Sequence, residues 1–244
     1  MSQNLKQIKK LGLALAVTAV TGGLTTGVWA VNNVAGTGNG VALGTGSAAI
    51  RVADRTSIAI GEAAAAAYRD SIAIGNGADS DGNGAIAFGL NTKTVGMNAI
   101  AIGTNATTVQ ENNVAIGTGA EASGAEDVAI GRGAKANGYS VVLGSGSQAL
   151  EEKSVAIGKN VKVENPQGIA IGSDITASGK SSIAIGDKAN TTKVGEVSVA
   201  MGALAQATVK GGVALGWESL ADRASGTAGY DPLTGTASKL TNAT

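Results

Sequence analysis

The sequence has no cysteine and no histidine, and its 244 positions include only two prolines and six aromatic residues (one Phe, two Trp, three Tyr). Each shortage removes a chemistry. Without Cys or His there is no thiolate nucleophile, no imidazole base, no zinc finger and no Ser-His-Asp triad. So few aromatics leave the chain without the side chains that bury about 150–250 Å² each in an ordinary enzyme core. An excess of charge of one sign is missing too: 18 Lys and Arg balance 18 Asp and Glu, so no basic stripe points to nucleic acid. Glycine, by contrast, is abundant: its 38 residues are roughly twice the ~7% average. They lack collagen's every-third-residue spacing, and 43% hydrophobic residues are too many for a disordered chain. A core must therefore be built repetitively from small aliphatics.

The amino terminus carries a separate signal. Lys6, Lys9 and Lys10 precede the apolar run from Leu11 to Val20, and Val28-Trp29-Ala30 offers small residues before a cut. This order predicts a secretory signal peptide over 1–30 and a linker over 31–40. The alternative is a transmembrane helix over about residues 11–31, which Gly22, Gly23, Thr25 and Thr26 weaken. Cleavage after Ala30 removes three lysines and no acid, leaving 15 basic against 18 acidic residues, a net of −3.

Beyond the leader, a repeat dominates. The pattern x-[IV]-A-[ILMF]-G ends at Gly44, Gly61, Gly75, Gly89, Gly103, Gly117, Gly131, Gly144, Gly158, Gly172, Gly186, Gly202 and Gly216, with one Val in place of the alanine. Nine of its twelve intervals are 14 residues; the others are 17, 13 and 16. Alternation of a branched, a small and a branched residue reads as a short strand with two different faces. A weaker pattern of small residues two apart follows, as in Ala120 and Ala122 or Ala134 and Ala136, and predicts a second strand. Gly, Asn, Asp, Ser and Thr fill the turns. Fourteen residues with two strands and two turns make one coil of a parallel solenoid, and twelve steps at ~4.8 Å give a rod about 58 Å long. The expected roll spans 41–220.

Both faces of the first strand are apolar. Alternation separates a bulky pair from a central alanine, and the absence of polar residues at the alanine position predicts a packed partner there. The roll core is then expected to hold Ile58, Ile60, Ile72, Ile74, Ile86, Phe88, Ile100, Ile102, Val114, Ile116, Val128, Ile130, Val155, Ile157, Ile169, Ile171, Ile183 and Ile185. The oligomer interface is expected at Ala59, Ala73, Ala87, Ala101, Ala115, Ala129, Ala156, Ala170, Ala184, Ala200 and Ala214, in a homo-oligomer closed about the rod axis. The opposite arrangement, alanine inward and aliphatics outward, would expose thirteen bulky pairs.

The recurring units "SIAIG", "NVAIG" and "SVAIG", each followed by a small-residue strand, resemble the head repeats of trimeric autotransporter adhesins, the YadA-like head, over about residues 36–220. The resemblance implies an all-β fold, a left-handed parallel β-roll of 14-residue repeats, homotrimeric. It further implies display on the surface of a Gram-negative bacterium and attachment to a host extracellular matrix protein or cell-surface receptor. It puts the bulky pair inside each roll and the alanine at the trimer contact. The segment Ala221 to Gly235 is similar to connector or insert segments of the family, and 221–244 is read as such. No coiled-coil stalk or membrane-strand pattern follows Gly216, so contact with a membrane is expected only through an anchor absent from this chain.

Three segments mimic chemical motifs. Ser178-Gly179-Lys180-Ser181 resembles the end of a phosphate loop, but Asp174 stands where its first glycine belongs. Asp79-Ser80-Asp81-Gly82-Asn83-Gly84 matches the start of a calcium loop, but Leu90 replaces the bidentate glutamate. The string from Gly117 to Ala122 lacks the helix that dinucleotide binding needs. The acids Glu62, Asp79, Glu111, Glu121, Asp127, Glu151, Glu152 and Asp187 are expected to scatter through turns rather than converge as in a carbohydrate-cleaving pair. No catalytic, cofactor or metal residue is nominated. The sequence predicts a non-enzymatic adhesin head; the alternatives are a display rod without its own ligand and a polysaccharide-active solenoid.

Overall fold

The computed structural model describes residues 40–44, 46–49, 56–224, 227–231 and 236–241. The expected leader over 1–30, nearly all of the 31–40 linker and Pro232 lie outside the described residues.

Each motif forms a short strand, as at Ile72–Ile74, Ile100–Ile102 and Val114–Ile116. The small-residue pattern after it forms a two-residue strand, as at Glu121–Ala122 and Lys135–Ala136. Motif strands and short strands stack separately, giving two parallel sheets of 13 strands each. The chain is thus an all-β parallel solenoid whose coils repeat in register: Ala101 pairs with Ala115, and Ala115 with Ala129. Parallel pairing passes backbone hydrogen bonds from coil to coil, for example Ile100 N–H to Asn113 O at 2.8 Å. Ala228–Asp231 and Thr236–Thr241 form a separate antiparallel pair.

The turns explain the glycine and asparagine content. Gly117, which closes its motif, has φ 133°, and a Cβ there would lie 2.5 Å from Gly131 O on the next coil. No side chain fits. Two residues further on, the first turn needs a left-handed residue, supplied by Asn91, Asn105 and Asn160 at φ 51°, 56° and 54°. Asn98 and Asn112 do the same in the second turn, at φ 56° and 57°. Asparagine tolerates this region better than most side chains.

The interior reverses the expected packing. Ala59, Ala73, Ala87, Ala101, Ala115, Ala129, Ala156, Ala170, Ala184 and Ala200 have no exposed surface within one chain, and Ala214 has 2%. These alanines form the roll core and offer no surface to a partner. Most of them pack with the inward residues of the second sheet in three clusters along the rod, the largest of them bringing Ala115 and Ala129 together with Ala120, Ala122, Ala134 and Ala136. The bulky residues expected inside point outward instead: Ile58, Ile60, Ile72, Ile74, Ile86, Ile100, Val114, Ile116, Val128, Val155, Ile157, Ile169, Ile171, Ile183 and Ile185 are half-buried, while Phe88, Ile102 and Ile130 are exposed. The cause is width. A 14-residue coil with two turns leaves room between its sheets mainly for small side chains, with a single larger one admitted in a few coils, as at Val142, Val161, Val163 and Ile175, and a bulky pair in every coil would overpack it.

A polar thread also runs through the interior. Asn113, Asp127, Ser140 and Ser154 occupy the position just before successive motif strands, and all are buried. Asn113 Oδ1 accepts from Asp127 N–H at 2.8 Å, Asp127 Oδ1 from Ser140 N–H at 2.8 Å, and Ser140 Oγ from Ser154 N–H at 3.1 Å. Asp127 Oδ2 accepts from Gly124 N–H at 2.7 Å and Gly138 N–H at 3.0 Å. Three backbone donors thus surround one buried carboxylate, beside the turn where the repeat shortens to 13 residues.

Candidate interaction surfaces

The first sheet presents its bulky pairs as two parallel columns along the rod. Register keeps each column straight: Ile58 stands over Ile72, Ile72 over Ile86, and Ile86 over Ile100. The second column runs Ile60, Ile74, Phe88, Ile102 in the same register. Among the thirteen motif strands no polar residue occupies either column. At ~4.8 Å per coil and two residues across, the face covers on the order of 500 Å², large for a free apolar patch. Phe88 is 50% exposed, Ile102 36% and Ile130 37%.

The second sheet presents the opposite chemistry. Its outward column runs Asp79, Lys93, Thr107, Glu121, Lys135, Gln148 and Lys162, each paired in register with the next. Acids and bases on neighbouring coils join. Lys93 Nζ lies 3.2 Å from Asp79 Oδ2, Lys135 Nζ 2.8 Å from Glu121 Oε2, and Lys210 Nζ 3.5 Å from Glu196 Oε2. Within one coil, Lys162 Nζ lies 2.7 Å from Glu164 Oε1. The Lys135 hydrogen bond holds the Glu121 carboxyl below its ordinary value. Lys162, and then the Ser178 hydroxyl, do the same for Glu164. Asp81 moves the other way, raised by partial burial and then by the charge of Asp79. Glu121, Ser123, Lys135, Asn137, Gln148 and Leu150 line a shallow groove on this face.

The motif mimics take structural places. Asp79 and Ser80 form a strand, with Ser80 buried and its hydroxyl donating to Ala85 O at 3.1 Å, so the calcium-like string begins in the sheet and only Asp81 to Gly84 lie in the turn. Ser178 and Gly179 are buried in the turn between Thr176–Ala177 and Ile183–Ile185, with no helix after them. The acids do not all lie in turns. Asp79 and Glu121 stand on the outward strand face and Asp127 inside the roll, while Glu62, Glu111, Glu151, Glu152 and Asp187 are exposed in turns. Among the described residues no three His, Cys, Asp or Glu gather as a metal site.

A parallel solenoid of short two-strand coils, filled mainly by alanine and carrying an aliphatic face opposite a charged one, defines the class: a repetitive β-solenoid. The sequence profile of the YadA head domain repeat matches in ten segments that together cover residues 55–160 and 164–219, and the chain belongs to that family. A search of curated protein sequences gives no match.

Proposed function

We propose that the chain is the head of a surface-exposed adhesin, assembled as a homotrimer of left-handed rolls, that attaches to a host extracellular matrix protein or cell-surface receptor. The aliphatic face of the first sheet carries this reading: thirteen coils leave their bulky pairs partly exposed in one chain, and membership of the YadA head family supports two further copies as the partner. Turning the three first sheets toward a common axis covers those columns and leaves the charged second sheets and the turns outward. Attachment is then multivalent. Each of three faces repeats modest polar contacts along the rod, and effective concentration combines them.

This arrangement reassigns the intersubunit surface. Contact runs through the columns that begin at Ile58 and Ile60, while the alanines hold each roll together. Residues 221–244 follow the last coil as a connector or insert, and the leader directs export. The test is binding of the purified chain to immobilised matrix proteins and to cultured cells, beside hydrolysis of a glycan panel. Saturable binding without hydrolysis supports the adhesin; hydrolysis without binding overturns it.

A further inference from the structure

Asparagine takes the left-handed place of the first turn in three coils, at Asn91, Asn105 and Asn160. Only one of these begins the N-x-S/T pattern of an N-linked sugar acceptor: Asn105-Ala106-Thr107. Asn160 also spends its amide, Nδ2 donating to Asp174 Oδ1 at 2.9 Å. Asn105 is exposed, and its backbone N–H donates to Leu90 O at 2.9 Å, which fixes the turn. Among the described residues its side-chain amide has no hydrogen-bond partner. Thr107 stands on the outward face of the second sheet between Lys93 and Glu121, and its hydroxyl is likewise unpaired among the described residues. The next two coils carry Gly119 and Gly133 at the equivalent turn position, where an added Cβ would meet nothing within 4 Å. Space for a bulky substituent lies open beside Asn105.

The same pattern at Asn190-Thr191-Thr192 has the opposite setting. Asn190 is half-buried in the strand Asn190–Thr191, Thr191 is buried against the Ser182 hydroxyl at 2.8 Å, and Thr192 Oγ1 donates to Thr208 O at 3.1 Å. A third, Asn242-Ala243-Thr244, lies outside the described residues.

We infer that Asn105 is an acceptor site for an N-linked hexose, delivered from a nucleotide-activated sugar by a glycosyltransferase that reads N-x-S/T. Asn105 Nδ2 forms a bond to the sugar C1, and the bond from C1 to the diphosphate oxygen breaks with its electron pair leaving on the nucleoside diphosphate. One amide proton passes to solvent, and nothing is oxidised or reduced. The inference stands independently of the adhesive reading, because it rests on the N-x-S/T pattern and on the exposure and turn geometry of Asn105.

The experiment incubates the folded full chain with uridine diphosphate glucose and a soluble asparagine glucosyltransferase of N-x-S/T specificity, followed by peptide mapping by mass spectrometry. The heat-denatured chain, in which both patterns are accessible, verifies the enzyme. One hexose is expected on the Asn105 peptide, on the order of tenfold more than on Asn190, which must wait for local opening of its strand. Asn105→Gln and Thr107→Val lose the modification and Thr107→Ser keeps it, with circular dichroism confirming that each variant is folded. An unmodified Asn105 in the folded chain, or equal modification of Asn190, overturns the inference.

Discussion

Asp127 Oδ1 accepts a 2.8 Å hydrogen bond from the backbone N–H of Ser140, the residue in the same position one coil later. The same side chain takes the N–H groups of Gly124 and Gly138, so one buried carboxyl group binds three backbone donors beside the coil that has lost a residue. Asp127→Ala leaves three backbone donors without acceptors inside the roll. An unsatisfied buried group costs ~1–3 kcal/mol, so the loss is expected to exceed that of an ordinary surface truncation several-fold. Chemical denaturation of the variant measures it, and a loss under ~1 kcal/mol contradicts the thread.

Ala115 tests the inside of the roll against its outside. Ala115→Leu overpacks the interior and is expected to destabilise by ~1–3 kcal/mol or more, and Ala115→Lys, which buries an unpaired charge, to prevent folding. Ile102→Ser, on the outward column, is expected to leave the coil itself nearly intact while weakening association. Thermal unfolding read beside particle mass separates the two effects. A tolerated Ala115→Lys would return the alanines to the surface.

Gly117 tests the stacking distance. At φ 133°, with Gly131 O 2.5 Å from where a Cβ would stand, Gly117→Ala must push two coils apart. A loss of ~1–3 kcal/mol is expected from backbone strain, larger than for Gly119→Ala, whose Cβ would meet open space. Equal losses contradict the close approach.

Glu121 gives the pH dependence. Lys135 lowers its folded value below the ordinary 4.5, so its contribution is complete above the unfolded value and disappears as pH falls through the folded one. The pair is exposed, its side chains 45% and 41% accessible, so screening holds that contribution to ~0.5 kcal/mol. Lys135→Met is expected to move the Glu121 carboxyl titration upward, read by nuclear magnetic resonance. An unchanged titration contradicts the pairing.

The repeat made most of the fold legible. The "SIAIG" at 71–75 places its strand at Ile72–Ile74, and the Ala120 and Ala122 pair places the next at Glu121–Ala122. Orientation was not legible, because alternation separates two faces without saying which is inside when both are apolar. Treating uncovered isoleucine as a liability put alanine outward, whereas the narrow coil favours a small residue inward and stretches to Val142 in one motif strand. One signal pointed the right way: inward positions of the second strand, such as Ala64 and Ala66, are equally small. Asp127 was hidden for a related reason. Its acceptors and donors lie on three different coils, and one sequence displays no such neighbours.

The outward aliphatic columns are the surface that a partner would cover, and the mass of the particle in solution tests them most directly. Sedimentation equilibrium at micromolar concentration is expected to give three times the chain mass, with Ile102→Lys shifting the distribution toward monomer. A wild-type chain that sediments as a folded monomer, its columns open to water, would contradict the trimer.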